Sequence, residues 1–304
     1  GFDKEMEKSK KLARANWKGS GDKSLEEKWF KVREQLNPTE FLGYEFDKLE
    51  GVVLKISKGK DFVNEAKTGD EIEIVTNQTP FYAESGGQVG DKGIIYSNDC
   101  KVIVEDTQKK MGDLHVHLGK IEKGILKVNQ SVNMEIDVDR RNNARAYHSA
   151  THLLHEALRR TLGKHVTQKG SLVSPEKLRF DFSHTEKVKK DELNEIFKMS
   201  NDLIYKDIEV KTNVMNIDEA KKEGALAFFG DKYDDDVRVV NIGDFSKELC
   251  GGTHVNKTSD IESLKITKES SVSSGIRRIE AISGIDILKY SKEQKKNVLE
   301  KQKD

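Results

Sequence analysis

The side chains best suited to chemistry in this sequence are three histidines spaced three or four positions apart: His148, His152 and His155. They lie in a run from about residue 143 to 162 that contains neither glycine nor proline, and this run predicts a helix. At about 100° per residue, the three imidazoles project from one narrow face of that helix. Imidazole is the commonest metal ligand in proteins, and two histidines four positions apart on a helix can bind one ion. The pattern therefore predicts part of a metal site.

A second pair of candidate ligands lies about a hundred residues later, where Cys250 and His254 flank a Gly-Gly-Thr segment. Together with His148 and His152, this pair gives three nitrogen donors and one sulfur donor. Such a set suits zinc better than magnesium, calcium or manganese. The alternative is that the histidines form an ordinary helix face and that Cys250 is a buried thiol. Two pairs with the same spacing favour a single zinc site.

Four protein ligands would occupy every position of a tetrahedral zinc, as they do in structural sites. A catalytic zinc needs an open position, so one ligand would have to be loose or the coordination would have to expand. Otherwise the metal shapes the pocket and orients the substrate. Both a structural and a catalytic role for the zinc stay open at this point.

The charge of the chain is balanced overall but not locally. Lys+Arg and Asp+Glu both number 53, so the net charge gives no global sign of a polyanionic partner. Between residues 140 and 180, however, nine basic residues are accompanied by only two acidic ones. A phosphate-bearing partner would be attracted to this region, and the alternative is a solvated helix flank. The basic residues that we predict to contact such a partner are Arg140, Arg141, Arg145 and Lys169.

Cysteine content and hydropathy favour a cytoplasmic protein. Cys100 and Cys250 are too few for a disulfide framework, which fits a reducing compartment. The first residues lack the apolar core of a signal peptide, and no run approaches the roughly twenty apolar residues of a membrane-spanning helix. We therefore expect a cytoplasmic location and no membrane partner.

The order of charged, apolar and turn residues predicts two folded domains with helical flanks. Short β-branched or alternating runs between turn residues predict a small antiparallel β-barrel. The helices and strands that follow do not alternate regularly, which indicates an α+β core around the zinc-type site and an α+β fold class. The predicted parts are residues 1–40, a helical connector; 41–139, the barrel-like domain; 140–285, the α+β core; and 286–304, the start of a helical linker.

A loop in the barrel-like domain carries three glycines in five residues, Gly86, Gly87 and Gly90, with Gln88 among them. Glycine allows the backbone to adopt positive φ and to approach other atoms closely. The loop could therefore present its amides and Gln88 to a ligand. The alternative is a tight connection between two strands, and composition alone favours that alternative.

Six segments, taken in chain order, resemble the editing region of alanyl-tRNA synthetase. They are residues 81–91, 148–155, 168–171, 178–183, 250–255 and 275–280, and the resemblance extends from about residue 41 to 285. Related free-standing alanyl-tRNA deacylases share the two ligand pairs. The charged flanks are similar to the pieces that link the editing region to its neighbours in the synthetase. This similarity favours a synthetase fragment, without its aminoacylation region, over a free-standing deacylase.

The resemblance implies hydrolytic editing, in which a wrongly attached serine or glycine is removed from the tRNA specific for alanine. The partners it implies are that tRNA and the remaining domains of a synthetase, and no ligase activity is expected of the fragment. The implied zinc ligands are His148, His152, Cys250 and His254. The residues implied to act in catalysis or to face the amino acid are Gln168, Thr79, Gln88, Gly86 and Gly87.

Two other functions fit parts of the pattern. The four ligands could form a closed structural zinc site in a tRNA-binding module that does not catalyse in isolation. The tripeptide Gly86-Gly87-Gln88 is also similar to the one that translation release factors use on peptidyl esters, but the His and Cys pairs have no place in that function. Hydrolysis of seryl-tRNA, as opposed to mere binding, distinguishes an editing enzyme from a tRNA-binding module.

Overall fold

A computed structural model of the protein describes residues 23–227 and 234–301, so the first 22 residues of the predicted connector lie outside the described part. The chain divides into two compact units. The first unit comprises Gly1–Glu84 and Gly90–Asp137, and the second comprises Ser85–Val89 and Val138–Asp304. The short segment Ser85–Val89 thus belongs to a different unit from the residues on either side of it. The sequence patterns did not predict this interruption.

Six strands of the first unit form a closed antiparallel barrel, which confirms the predicted barrel. In the order in which they pair, they are β2 (Lys48–Lys58), β5 (Glu71–Thr76), β9 (Leu114–Lys127), β8 (Cys100–Lys110), β7 (Gly93–Tyr96) and β10 (Ser131–Ile136), which pairs again with β2. The other elements of this unit are helix α1 (Lys23–Gln35) and the short strands β1 (Glu40–Phe41), β3 (Asp61–Val63), β4 (Glu65–Lys67) and β6 (Gln78–Thr79). Successive side chains of β8 alternate, so Cys100, Val102 and Val104 are buried while Lys101 is not.

Two histidines of strand β9, His115 and His117, are buried inside the first unit. Nδ1–H of His115 donates to the carbonyl oxygen of Phe81 at 3.0 Å, and Nδ1–H of His117 donates to that of Ile74 at 3.0 Å. The other ring nitrogen of His117 accepts the hydroxyl proton of Thr79 at 2.7 Å. Burial lowers the pKa of both imidazoles to about 4, because the backbone bonds only partly offset the cost of charging a buried ring.

The first unit is therefore expected to lose stability as the pH falls from about 6.5 to 4. Between these pH values the two histidines bind protons in the unfolded chain but stay neutral in the folded chain, so a lower pH favours unfolding. For His117 alone, a pKa of about 4 against 6.5 gives a loss of about 2 kcal/mol at pH 5. In His117→Gln, the difference between the unfolding free energies at pH 7 and pH 5 should shrink by about that amount. Denaturant titrations followed by tryptophan fluorescence would measure the two free energies. Equal differences in the unmodified chain and in His117→Gln would contradict a lowered pKa of His117.

Helix α2 (Val138–Leu162) is the central element of the second unit and carries all three predicted ligand-face histidines. It begins about five residues earlier than the predicted start and ends before Gly163, whose φ of +119° stops the helix. Ten consecutive residues from 146 to 155 are buried, so the helix has no solvated face there. The helix is thus not amphipathic in the simple sense that its periodicity suggested.

Two antiparallel sheets accompany helix α2 in the second unit, and the mixture confirms the predicted α+β class. The larger sheet has the order β11 (Gln168–Val173), β12 (Leu178–Ser183), β17 (Ile276–Ser283) and β16 (Leu264–Ser273). The smaller sheet has the order β13 (Val210–Asn216), β14 (Asp236–Ile242) and β15 (Ser246–Leu249). The remaining helices are α3 (Lys190–Tyr205), α4 (Ile217–Lys222) and α5 (Ile285–Lys301). In the part of the chain that the structure describes, every helix is too short or too polar to cross a membrane.

Candidate metal centre

The four predicted ligands lie together in the second unit. The candidate donor atoms of His148, His152, Cys250 and His254 are all within 4.8 Å of one another. The sulfur of Cys250 lies 3.4 Å from Nε2 of His148 and 3.3 Å from Nε2 of His254. Bonds of about 2.3 Å to sulfur and about 2.0 Å to nitrogen place such atoms about 3.5 Å apart around a tetrahedral zinc. The cluster could therefore bind a metal ion, and its donor set is consistent with zinc.

Two elements bring these donors together. Helix α2 presents His148 and His152 one turn apart, and Cys250 follows strand β15 directly. The turn after Cys250 is held by Arg238, whose Nη1 donates to the carbonyl oxygens of Gly252 at 2.6 Å and Cys250 at 3.2 Å. Gly252 lies so close to helix α2 that a Cβ at this position would be 2.0 Å from the ring of His148. The Gly-Gly turn therefore lets the backbone approach the ligand ring.

The electrostatics of the cluster favour a thiolate. Burial opposes ionisation of Cys250, but the imidazoles of His148, His254 and His152 lower the pKa of its thiol well below the ordinary range. Burial also opposes the charge on His152, yet Glu248 and Cys250 raise the pKa of this imidazole to about 9. Burial lowers the pKa of His254 to about 3, so that ring stays neutral. A thiolate and neutral imidazoles are the forms that bind zinc, so metal binding would displace the proton from His152.

Gln88 contacts the first candidate ligand, His148. Its buried Oε1 accepts the N–H of Thr253 at 2.9 Å and lies 2.7 Å from Nδ1 of His148, which therefore donates to it. Its Nε2 donates to the hydroxyl of Thr253 at 2.8 Å. Backbone hydrogen bonds of Gly87 and Val89 with Val173 in β11 fix the segment that carries Gln88. The buried amide thus holds a candidate metal ligand, and the amino-acid contact predicted for Gln88 stays a prediction.

The two glycines before Gln88 differ in their surroundings. Gly87 has a φ of +85°, and a Cβ there would lie 2.8 Å from the carbonyl oxygen of Ser171. Gly86 is exposed, with a φ of +58° and open space where a Cβ would be. Close packing against β11 explains Gly87, and the substrate contacts predicted for both glycines stay predictions.

The other two candidate histidine ligands also have an oxygen atom beside Nδ1. Nδ1 of His254 lies 3.0 Å from the hydroxyl of Ser149, which also accepts the N–H of Val255 at 3.2 Å. Nδ1 of His152 lies 3.1 Å from Oε2 of Glu248, a short ion-pair contact whose angle falls outside that of a hydrogen bond. An acceptor beside each Nδ1 leaves Nε2 of each ring for the metal.

His155 does not join the metal cluster, although the helical spacing places it on the same predicted face. Its Nδ1 lies 2.8 Å from Oε1 of Glu248, and its ring packs against Phe180 with centroids 5.0 Å apart. The sequence singled out neither Glu248 nor Ser149 and Thr253 as functional residues. The sequence feature that could have pointed to Glu248 is its position two residues before Cys250, a candidate ligand.

Two further predicted polar site residues, Thr79 and Gln168, are not among the four candidate donors. Thr79 belongs to the first unit and is fully buried, and its hydroxyl is engaged by His117 and by the N–H of Phe81. Gln168 is the first residue of β11 and is half-buried. Within the described residues, no hydrogen bond joins Gln168 to the four donors. Catalytic roles for Thr79 and Gln168 therefore stay predictions.

The predicted phosphate-binding residues differ in accessibility. Lys169 is exposed beside a register shift in β11, whereas Arg140 and Arg145 are half-buried. Arg140 forms an ion pair with Glu176 at 3.2 Å. The side chain of Arg141 is fully buried, and the phosphate contact predicted for it stays a prediction.

Comparison with known proteins matches two stretches of the chain to family models of tRNA synthetases. Residues 1–140 match the family model described as tRNA synthetases class II (A). Residues 237–280 match the threonyl and alanyl tRNA synthetase second additional domain, and this stretch contains Cys250 and His254. The second match thus covers half of the candidate metal centre.

Three curated relatives are alanine--tRNA ligases. The chain is 50% identical over 295 residues to that of Nitrobacter winogradskyi, which corresponds to 93% of the chain and 33% of the relative. It is 48% identical over 304 residues to that of Mesorhizobium japonicum, with 97% and 34% covered, and 46% identical over 308 residues to that of Chelativorans sp., with 98% and 35% covered. The chain spans about a third of the length of these relatives. By these matches and its ligand cluster, the chain belongs to the alanyl-tRNA synthetase family.

Proposed function

We propose that this chain hydrolyses the ester that joins a wrongly attached serine or glycine to the tRNA specific for alanine. The convergence of His148, His152, Cys250 and His254 carries the proposal, because these are the residues that the family resemblance assigns to the editing metal. The match of residues 237–280 to a domain of threonyl and alanyl tRNA synthetases supports it. We propose zinc as the ion, and the cytoplasm, where tRNA is charged, as the place of action.

The chemistry suits such a site. An aminoacyl ester is activated, so its hydrolysis needs a positioned water and stabilisation of the charge that develops on the carbonyl oxygen. A bound zinc would polarise that carbonyl or lower the pKa of a water. The chain itself keeps the ligands in place: Gln88 holds His148, Ser149 holds His254, and Arg238 holds the turn after Cys250. Ligands fixed in this way do not have to reorganise during the reaction.

Discrimination between serine and alanine requires a polar group that pairs with the serine hydroxyl. Three residues were candidates from the sequence. Gln88 and Thr79 are fully buried, and their side chains already have protein partners. Gln168 is half-buried at the start of β11. We therefore propose Gln168 as the residue that contacts the serine hydroxyl or the attacking water.

The partner would be the aminoacylated end of the tRNA, together with the other domains of a synthetase. Lys169 is exposed next to Gln168, and Arg145 is partly exposed on helix α2 near the ligands. Basic side chains in such positions would contact phosphates, and each would contribute to the salt dependence of binding. We propose these two residues as phosphate contacts, with Arg140 released from Glu176 as a third.

The test is to incubate the zinc-loaded chain with alanine tRNA that carries either serine or alanine. Rapid loss of the seryl ester with retention of the alanyl ester is the expected result. Retention of both esters by a chain that binds the tRNA would instead favour the zinc-stabilised binding module. Equal loss of both esters would mean hydrolysis without discrimination, which contradicts editing.

Gln168→Ala is expected to slow hydrolysis of the seryl ester about 10-fold or more, which corresponds to ~1.4 kcal/mol of lost transition-state stabilisation. Zinc content and melting temperature should stay unchanged, because Gln168 makes no hydrogen bond to the donors in the described part of the chain. Gln108→Ala is the matched control, since Gln108 bonds to Glu84 and Asp106 within the first unit. Single-turnover deacylation measures the effect, and equal rates in the two variants would remove Gln168 from the site.

A further inference from the structure

Glu248 is a buried carboxylate that contacts two imidazoles of helix α2. The residue is 2% exposed, and its two oxygens point in different directions. Oε2 lies 3.1 Å from Nδ1 of His152, and Oε1 lies 2.8 Å from Nδ1 of His155. One oxygen thus approaches a candidate metal ligand, and the other is held by a histidine outside the cluster.

Glu248 differs from the other groups that hold the ligand rings. Gln88 beside His148 and Ser149 beside His254 are uncharged groups. A carboxylate is a stronger acceptor than an amide or a hydroxyl, and it increases the basicity of the imidazole that it holds. Of the three ligand histidines, His152 is therefore the one supported by a charged group.

The charge of Glu248 also matters to a buried ion. A zinc ion with one thiolate ligand and three neutral imidazoles carries a net charge of +1. Burying an uncompensated charge is costly, and a carboxylate next to the ligands brings the net charge of the centre to zero. The ring of His155, which contacts Oε1 of this carboxylate at 2.8 Å, packs against Phe180 with centroids 5.0 Å apart.

We propose that Glu248 is a positioning residue of the metal centre, which orients His152 so that Nε2 binds the ion and which balances the charge of the zinc–thiolate unit. His155 holds Glu248 in place through the contact between its Nδ1 and Oε1 of Glu248. The inference rests on the proposed zinc site, but it does not depend on the substrate or on the editing reaction.

Glu248→Gln tests the proposal because the change is isosteric. An amide offers one acceptor and one donor, so it can accept only one of the two Nδ1–H groups and also loses the charge. Zinc affinity, measured by competition with a chromophoric chelator, is expected to fall about 10- to 100-fold. The matched control is Glu223→Gln, an exposed residue whose carboxylate pairs with Lys247 at 3.0 Å, and it should keep the affinity of the unmodified chain.

A second variant tests the contact between His155 and Glu248. In His155→Phe the ring can still pack against Phe180, but the bond to Glu248 is lost, and we expect a smaller decrease in zinc affinity than in Glu248→Gln. Circular dichroism and thermal melting in the presence of chelator measure the fold without metal. A purely structural role would lower the melting temperature of the metal-free chain and leave the zinc affinity unchanged.

The outcomes separate the proposals. Unchanged zinc affinity in a folded Glu248→Gln chain overturns the positioning role, as does a variant that fails to fold even with excess zinc. Glu248→Gln could weaken zinc binding while the unmodified chain shows no hydrolysis of seryl-tRNA. That combination supports the positioning role of Glu248 and contradicts only the editing function. If Glu248→Gln hydrolyses seryl-tRNA and binds zinc with the affinity of the unmodified chain, the editing function is supported. That result contradicts only the positioning role of Glu248.

Discussion

Replacing Cys250 with alanine is expected to reduce bound zinc from one equivalent per chain to less than about a tenth, and to slow hydrolysis of seryl-tRNA at least about 100-fold. Cys250 supplies the sulfur donor of the cluster, and it lies within 3.4 Å of two ligand nitrogens. Three neutral imidazoles would bind the ion much more weakly than three imidazoles and a thiolate. A 100-fold decrease in rate corresponds to ~2.7 kcal/mol of lost transition-state stabilisation.

The same change is expected to remove the stabilisation that zinc gives to the second unit. A ligand present at about 1,000 times its dissociation constant stabilises the folded state by ~4 kcal/mol. The unmodified chain should therefore melt at a higher temperature with zinc than with chelator, whereas Cys250→Ala should melt at the same temperature in both. Cys100→Ala is the control, because Cys100 is buried in the barrel of the first unit. Metal analysis and calorimetry would show the effect, and one zinc per chain in Cys250→Ala would refute the ligand assignment.

Gly252→Ala is expected to weaken zinc binding about 100-fold or more without removing any donor atom. A Cβ at this position would lie 2.0 Å from Cε1 and 2.3 Å from Nδ1 of His148, and 3.1 Å from Oε1 of Gln88. Atoms cannot approach so closely, so the imidazole or the turn must move. A shift of either breaks the bond between His148 and Gln88 and displaces Nε2 from the metal position.

The neighbouring glycine provides a matched control for this prediction. A Cβ at Gly251 would meet no atom within 4 Å, and the residue is exposed. Gly251→Ala should therefore keep the zinc affinity and the deacylation rate of the unmodified chain. Competition with a chelator would measure the zinc affinity of both variants. Equal affinities would mean that the close approach at Gly252 is not needed for metal binding.

The metal donors could be predicted because each pair is local in sequence. His148 and His152 are one helical turn apart, and Cys250 and His254 are separated by a short turn, so spacing and donor type together indicated a shared ion. The barrel strands could be predicted for a similar reason. Their alternation and turn residues reflect a repeat of two residues, which is visible in any short window of sequence.

The groups that hold the donors could not be predicted, because their contacts are distant in sequence. Gln88 reaches His148 across 60 residues and Thr253 across 165 residues, and His155 reaches Glu248 across 93 residues. No local pattern records such contacts. The glycines beside Gln88 suggested a ligand loop, whereas Gly87 is needed for close packing against Ser171.

The basic residues illustrate a second limit. A count of charges treats every arginine as a surface residue, but Arg141 is fully buried on helix α2. Periodicity assumes one solvated face, whereas this helix is buried around its whole circumference from residue 146 to 155. Under these conditions spacing identifies which residues share a face, but it does not identify what covers that face.

The assignment of Ser85–Val89 to the second unit has a consequence for any attempt to excise that unit. A polypeptide that starts at Val138 would keep all four donors and lose the glutamine amide behind His148. Such a truncated piece should bind zinc more weakly than the intact chain, and a peptide spanning the five missing residues would be the natural addition to restore it. For the same reason, exchanging the second unit at Val138 alone would separate His148 from the glutamine that contacts it, so a transplanted unit needs both of its segments.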